Sequence, residues 1–218
     1  MSRKRHADLG RIRETGIVGI LRGVPEAKTI DVVEALAAGG VDVVEVTADT
    51  DGALDTISRL SDVFDRSEVL VGAGTVLDSE TAVAALRAGA EFVVTPSFDR
   101  GVVEACNRYG AVVAPGVMTP TEALTAYEAG ADLLKIFPAS TLGPGHVRSI
   151  RGPLDQLPLV PTGGVDLDNV ADFIEAGAAG VGVGSSLVDG EAVAAEEYGA
   201  IRERAASFRE AIERARSA

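Results

Sequence analysis

The sequence predicts an α/β fold of the (β/α)8 class, the TIM barrel, and three observations lead to this prediction. Eight short hydrophobic runs rich in β-branched residues recur along the 218 residues, with starts about 20–26 residues apart. Amphipathic segments of helical period separate them. Four runs follow an Ala-Gly-Gly or Ala-Gly-Ala phrase, whose glycine supplies the left-handed residue that ends a helix. An open doubly wound sheet is the second choice, because it usually contains fewer such units.

The hydrophobic runs predict parallel strands that are buried on both faces. In chain order they cover residues 16–21, 42–47, 68–73, 92–96, 112–115, 133–137, 159–162 and 180–184. Helices are predicted between them, for example over 27–38, 79–88 and 121–129. Residues before 15 predict an extra helix below the barrel, and 191–217 predict a final helix or two. No linker is visible, so we expect residues 1–218 to form a single domain.

Composition excludes several classes of protein. The 33 acidic residues outnumber the 20 basic ones, and the net charge of −13 argues against nucleic-acid binding. No apolar stretch approaches the ~18–20 residues of a membrane span. The single cysteine, Cys106, excludes an intramolecular disulfide framework and fits a reducing cytoplasm. Because only Lys4, Lys28 and Lys135 are lysines on this acidic chain, we hypothesise a halophilic source.

Two ionisable residues lie inside hydrophobic runs. Lys135 follows Leu133-Leu134, and Glu45 follows Val43-Val44. Burial disfavours the charged form of each, so a neutral amine able to attack a carbonyl and a carboxyl suited to proton transfer are both expected. A structural Lys–Glu pair is the alternative interpretation.

Glycine clusters follow the last two predicted strands. Thr162-Gly163-Gly164-Val165 follows the seventh, and Gly182-Val183-Gly184-Ser185-Ser186 ends the eighth. The loops after strands seven and eight are the usual phosphate site of such barrels, because glycine lets backbone N–H groups approach an anion. Tight turns that need a positive φ are the alternative.

Weaker candidates lie at other strand ends. Thr75 follows Gly72-Ala73-Gly74, and Arg22 follows the first run, where its guanidinium could bind a carboxylate or phosphate. His6 and His146 are expected at the surface. No His, Asp and Glu set has the spacing of metal ligands, so no metal and no cofactor is predicted.

Six motifs in chain order resemble one known family. The chain is similar to the 2-keto-3-deoxy-6-phosphogluconate (KDPG) and 4-hydroxy-2-oxoglutarate (KHG) aldolases over roughly residues 10–190. The motifs are Glu45-Val46-Thr47, Gly72-Ala73-Gly74-Thr75-Val76, Pro115-Gly116-Val117-Met118-Thr119-Pro120-Thr121-Glu122, Leu134-Lys135-Ile136-Phe137-Pro138-Ala139, Pro161-Thr162-Gly163-Gly164-Val165 and Gly182-Val183-Gly184-Ser185.

The resemblance implies a metal-independent class I aldolase on a (β/α)8 barrel, acting as a homotrimer. It implies that Lys135 forms a Schiff base and that Glu45 is the general acid/base, working through water. The pyruvyl end would be lined by Arg22, Thr75, Pro96, Phe137 and Thr162. The phosphate would be held by Gly163, Gly164, Gly184 and Ser185.

The reaction that the resemblance implies is cleavage of KDPG to pyruvate and glyceraldehyde 3-phosphate, a step of the Entner–Doudoroff route. Some members carry an arginine where this chain has Asp49, so Arg22 would have to bind the substrate carboxylate alone. The alternatives are an aldolase for the galactonate epimer or for KHG, and a non-catalytic barrel that binds sugar phosphates.

Overall fold

A computed structural model describes residues 3–217, in which strands and helices alternate. Its strands are β1 (Ile17–Leu21), β2 (Val43–Thr47), β3 (Leu70–Gly74), β4 (Phe92–Val94), β5 (Val112–Ala114), β6 (Gly116–Val117), β7 (Leu134–Ile136), β8 (Leu159–Pro161) and β9 (Val181–Val183). Its helices are α1 (Arg3–Thr15), α2 (Glu26–Ala38), α3 (Ala53–Val63), α4 (Ser79–Arg87), α5 (Arg100–Tyr109), α6 (Pro120–Glu128), α7 (Ala139–Arg151), α8 (Val170–Glu175), α9 (Gly190–Ala194) and α10 (Tyr198–Ser217).

The strands form two parallel sheets. The first has the order β5-β4-β3-β2-β1-β9 and the second the order β6-β7-β8. Hydrogen bonds join the sheets at both sides. The Ala179 N–H donates to the Leu159 carbonyl at 2.8 Å, and the Leu133 N–H donates to the Val113 carbonyl at 3.3 Å. All strands therefore present their carboxyl ends on one side of the molecule.

The structure adds one strand to the eight that the sequence predicts. The predicted strand 112–115 is β5, which ends one residue earlier at Ala114, and a further short strand, β6, begins at Gly116. Pro115 lies between them and has no N–H for the ladder, although its carbonyl still accepts from the Lys135 N–H at 2.9 Å. The other predicted strands and helices match observed elements, with ends that differ by one or two residues. The expected N-terminal helix is α1, and the C-terminal tail contains α9 and α10.

The core has two parts, separated by the strands. The larger cluster packs the outer faces of the strands against the helices, and the smaller one fills the space between inner faces with residues such as Val43, Phe92 and Leu133. Since side chains alternate along a strand, Glu45 lies on the same face as Val43, and Lys135 on the same face as Leu133. The fold therefore directs both ionisable residues toward the inner space.

The amino ends of the strands are covered by α1. Its Ile12 belongs to the inner cluster, and its Arg5 makes a buried ion pair with Asp132 at 2.6 Å. Asp132 also accepts from the Val113 N–H at 2.9 Å, which links α1 to the strands. Among the helices of residues 3–217, none combines the length and apolar character that a membrane span requires.

Candidate active site

A cavity of about 410 Å³ opens at the carboxyl ends of the strands. Nine of the sequence-predicted site residues line it, together with residues from the ends of β1, β8 and β9 and from the start of α9. The full lining is Ile20, Arg22, Glu45, Lys135, Phe137, Thr162, Gly163, Gly164, Val165, Gly184, Ser185, Ser186, Val188 and Gly190. Of the other five, Val165 and Ser186 belong to the glycine clusters that the sequence indicated, whereas Ile20, Val188 and Gly190 were not predicted.

The two ionisable residues of the hydrophobic runs lie at the base of this cavity. Lys135 is 5% exposed and Glu45 is 3% exposed. The Lys135 amine lies 5.1 Å from the centre of the Phe137 ring, which is close enough for a cation–π contact when the amine is charged. Both side chains therefore meet the cavity from a largely apolar surrounding.

Burial shifts the pKa values of this pair in opposite directions. Desolvation lowers the pKa of Lys135, the nearby Arg22 lowers it further, and the charge of Glu45 opposes this shift. Desolvation raises the pKa of Glu45, and the charges of Lys135 and Arg22 oppose that shift. The arrangement favours a neutral amine and a protonatable carboxyl at the same cavity, which is the combination needed to attack a carbonyl and move a proton.

A glycine makes room for the Glu45 carboxylate. A Cβ added to Gly74 would overlap the carboxyl group and would lie 2.5 Å from the Glu45 Cγ. Glu45 and Gly74 occupy neighbouring strands, β2 and β3, whose register pairs Thr47 with Gly74. The absent side chain at residue 74 therefore allows Glu45 to keep its position.

Arg22 is held between two neighbours at the rim of the cavity. It forms an ion pair with Asp49, and its Nη2 donates to the Thr75 hydroxyl at 2.8 Å. Thr75 has a φ of +55°, which is unusual for a β-branched residue. Two of the five guanidinium N–H groups serve these contacts, which leaves the others to bind a ligand anion.

The glycine loops line the other side of the cavity. Gly163 and Gly164 have φ values of +88° and +80°, as the tight-turn alternative requires, and both residues also line the cavity. Gly184 and Ser185 follow β9 and line the same cavity. Consecutive glycines of this kind form a concave backbone surface that suits an anion.

Two of the candidates lie outside the cavity lining. Thr75 reaches the site only through Arg22, and Pro96 follows β4, where its carbonyl lies against Gly116.

The cysteine and the two histidines also lie outside the cavity lining. Cys106 is buried in α5, and burial raises the pKa of its thiol to about 12. His6 is exposed, and the His146 ring contacts the Met118 carbonyl at 2.7 Å.

A larger cavity, of about 790 Å³, lies at the amino ends of the strands, beside α1. It contains arginines and carboxylates that already pair with one another, such as Arg11 with Asp42 and Arg66 with Asp8. The amino ends of barrel strands support stability rather than chemistry. Over residues 3–217 we find no group of three or more His, Cys, Asp or Glu side chains that could hold a metal ion.

Comparison with known proteins adds independent findings. A family model described as "KDPG and KHG aldolase" matches residues 10–204. A 2-dehydro-3-deoxy-6-phosphogalactonate aldolase of Escherichia coli K12 is 38% identical over 172 residues, which cover 78% of this chain and 83% of that protein. A 2-dehydro-3-deoxy-phosphogluconate aldolase of Pseudomonas aeruginosa is 38% identical over 163 residues, covering 74% of this chain and 73% of that protein.

Solved structures of aldolases are also similar to this chain. A structure described as native KDPGal has a TM-score of 0.86 and 36% identity, over 93% of this chain and 96% of that one. A KDPG aldolase of Legionella pneumophila, captured with pyruvate as a covalent carbinolamine, has a TM-score of 0.83 and 27% identity. That alignment covers 92% of this chain and 97% of the Legionella chain.

Proposed function

Since this chain belongs to the KDPG and KHG aldolase family, we propose that it is a class I aldolase that cleaves KDPG to pyruvate and glyceraldehyde 3-phosphate. The observation that carries the proposal is the buried Lys135 amine beside the buried Glu45 carboxyl, at the base of a cavity with a glycine-rich rim. Lys135 forms the Schiff base and Glu45 moves the protons. The reaction needs no metal and no cofactor.

The first half of the reaction uses the neutral amine of Lys135. Its nitrogen attacks the C2 ketone of the substrate to give a carbinolamine, which takes a proton from Glu45 and loses water to become a protonated imine. A base then removes the proton of the C4 hydroxyl, the C3–C4 bond breaks, and its electron pair moves toward the imine nitrogen. Glyceraldehyde 3-phosphate leaves, and an enamine remains on Lys135.

The second half returns the enzyme to its starting state. The enamine takes a proton at C3, which Glu45 supplies through a water molecule. Hydrolysis of the imine then releases pyruvate and regenerates the amine. The raised pKa of Glu45 suits this role, because a carboxyl that is easily protonated can both accept and return a proton.

The remaining candidates bind the two ends of the substrate. Arg22 binds the carboxylate of the keto acid, and the pyruvyl end also contacts Thr75, Pro96, Phe137 and Thr162. The phosphate binds at Gly163, Gly164, Gly184 and Ser185. The charge on Arg22, and the lining of the cavity by six of the other eight residues, support this division.

Reductive trapping with pyruvate tests the proposal directly. Wild-type protein incubated with pyruvate and borohydride should carry one reduced pyruvyl adduct, which peptide mass spectrometry should locate on Lys135. K135M should give no adduct. K28M is the matched control, since Lys28 is also partly buried but lies outside the cavity, and it should still be trapped. A folded wild-type protein without an adduct would favour a non-catalytic sugar-phosphate-binding protein.

The galactonate epimer is the second candidate substrate. The E. coli phosphogalactonate aldolase is 38% identical to this chain, as is the P. aeruginosa phosphogluconate aldolase, so identity does not separate the two. The epimers differ at the carbon that carries the reacting hydroxyl. Comparing kcat/KM for both epimers, and for unphosphorylated KHG, identifies the substrate, since pocket contacts of a few kcal/mol decide such preferences.

We also propose that the strands close into one (β/α)8 barrel and that the chain is a single domain. The hydrogen bonds that join the two sheets and the parallel bridge between Thr162 and Gly182 support this closure. From the family resemblance we propose a homotrimer that acts in the cytoplasm, in the Entner–Doudoroff route. Light scattering during size-exclusion chromatography measures the oligomeric state.

A further inference from the structure

Three consecutive carbonyls are held by donors in the loop that follows β8. The Ala139 N–H donates to the Thr162 carbonyl at 2.8 Å, and the Ser140 N–H donates to the Gly163 carbonyl at 2.8 Å. The Gly164 carbonyl accepts from the Asn169 side chain at 3.0 Å. Neither Ser140 nor Asn169 lines the cavity, so the last two carbonyls point away from it.

The N–H groups of the same two peptides face the cavity. In a trans peptide the C=O and N–H groups are antiparallel, so the N–H groups of Gly164 and Val165 point away from Ser140 and Asn169. Both residues line the cavity. Within residues 3–217, neither of these two N–H groups donates a hydrogen bond. They are therefore available to an anion in the cavity.

The two peptides differ in how they are held. The Gly163 carbonyl is fixed by backbone at the start of α7, which any residue at position 140 other than proline would supply. The Gly164 carbonyl accepts its hydrogen bond from a side chain, the amide of Asn169. Gly164 has a φ of +80°, and glycine restricts its own backbone rotation less than any other residue. The Gly164–Val165 peptide therefore depends on its hydrogen bond to keep its orientation.

Asn169 is itself oriented by a reciprocal pair of hydrogen bonds. Its Oδ1 accepts from the Asp166 N–H at 3.1 Å, and its own N–H donates to the Asp166 carboxylate at 3.1 Å. Because the amide oxygen is used as an acceptor, the Nδ2 group is left to donate to the Gly164 carbonyl. The turn from Asp166 to Asn169 thus fixes a donor at the back of the glycine loop.

We propose that Asn169 is a positioning residue for binding of the substrate phosphate. It does not touch the substrate. It holds the Gly164 carbonyl so that the Val165 N–H stays directed at the phosphate before the substrate arrives, which avoids ordering the loop on binding. The inference rests on the proposed function, because it assigns a device to the phosphate end of that same site.

The experiment compares two aldehydes in the synthetic direction, each with saturating pyruvate. With glyceraldehyde 3-phosphate, N169A should raise KM about 3- to 10-fold, the change expected for one lost hydrogen bond, and should leave kcat unchanged. With unphosphorylated glyceraldehyde, N169A should match wild type. This split depends on phosphate recognition, and a general loosening of the protein would not produce it.

A matched control comes from the other described asparagine that donates to a loop carbonyl. The Asn107 side chain donates to the Ala129 carbonyl at 3.3 Å, at the amino end of β7 and far along the chain from the glycine loop. N107A should leave both KM values unchanged. If N169A fails to fold, N169S serves instead, because serine is favoured immediately before a helix and is too short to reach Gly164.

The outcomes separate the inference from the proposed function. If wild type prefers the phosphorylated aldehyde and N169A keeps its KM, or loses activity equally with both aldehydes, Asn169 does not position the phosphate loop. If wild type forms the pyruvate adduct but shows no preference for the phosphorylated aldehyde, the phosphate site and the role of Asn169 both fail, while the Schiff-base mechanism stands.

Discussion

Lys135 and Glu45 depend on each other for their chemical state. Each would be costly to bury as an isolated charge, and burial moves each pKa toward the neutral form. The Glu45 carboxylate nevertheless stabilises the Lys135 ammonium, so the charge of one residue affects the pH at which the other reacts. Titration of the pair is therefore coupled, and one substitution should move the titration of the remaining partner.

E45Q should shift the pH dependence of adduct formation. Glu45 raises the pKa of Lys135 against the effect of burial, so removing its charge should lower that pKa further. The acid limb of the trapping rate, where the amine becomes protonated and stops attacking pyruvate, should then move to lower pH. Trapping with cyanoborohydride across the pH range measures this limb. A shift to higher pH, or none, would contradict the coupling.

R22Q should weaken binding of the keto acid. Loss of a charge-assisted contact to the carboxylate should raise KM for pyruvate by about 10- to 100-fold, while kcat for the aldol addition changes much less. R59Q is the matched control, because Arg59 is an exposed arginine on α3 that pairs with Glu26 and does not line the cavity. Equal effects of both substitutions would indicate a change in net charge rather than carboxylate binding.

At the scale of elements, the site depends on glycines in β3, which leave space for side chains of the neighbouring strands. Gly74 leaves space for Glu45, and Gly72 leaves space for the Phe92 ring below it. The strands could not supply these gaps with larger residues, because close-packed interiors do not adjust to an added methyl group without strain. The position of a catalytic side chain on one strand is therefore set partly by its neighbour on the next.

G74A should impair turnover more than folding. The added methyl group would displace the Glu45 carboxylate, and a misplacement of about 1 Å can cost about 100-fold in rate. Pyruvate trapping on Lys135 should survive, so the ratio of trapping to turnover is the informative measurement. G199A is the control, since a Cβ on Gly199 in α10 meets nothing within 4 Å. An unchanged kcat for G74A would show that Glu45 relaxes freely.

The sequence predicted those elements and residues that can be recognised from their immediate neighbours in the chain. Lys135 and Glu45 could be found because an ionisable residue within a hydrophobic run is unusual, and the strands could be found from β-branched runs. The short strand β6 was not predicted, because the two residues Gly116 and Val117 after Pro115 are too few to form a recognisable hydrophobic run.

Contacts between different loops could not be predicted in this way. The pairing of Arg22 with Asp49 joins the loops after β1 and β2, and the sequence shows Asp49 only as a departure from a family pattern. Asn169 was missed as well, because a polar residue in a turn carries no signal of its own. The role that we propose for it follows from its hydrogen bond to the Gly164 carbonyl, which only the structure reveals.

At the scale of the whole molecule, the excess of acidic residues has a thermodynamic consequence. A net charge of −13 on 218 residues makes the compact state repel itself, and this repulsion depends on ionic strength. Salt also weakens exposed ion pairs, but such pairs contribute little to stability. The buried Arg5–Asp132 pair that fixes α1 is screened much less. Screening should therefore stabilise this protein on balance.

The melting temperature should accordingly rise as salt is added. Between about 0.01 M and about 0.1 M KCl the Debye length falls from about 30 Å to about 10 Å. Surface charges that are about 10 to 30 Å apart therefore repel one another at the lower concentration and are largely screened at the higher one. A gain of about 1 kcal/mol would raise Tm by roughly 2–4 °C for a chain of this size. Thermal unfolding followed by circular dichroism at both concentrations measures this shift.

A charge-reduced variant separates screening from other effects of salt. D51N, D62N, E104Q and E128Q together change four exposed acidic residues, none of which forms an ion pair within residues 3–217, and bring the net charge from −13 to −9. If repulsion between carboxylates limits stability, this variant should melt higher than wild type at low salt and should respond less to KCl. An equal response of both proteins would show that the acidic surface does not govern stability, and the hypothesis of a halophilic source would lose its physical basis.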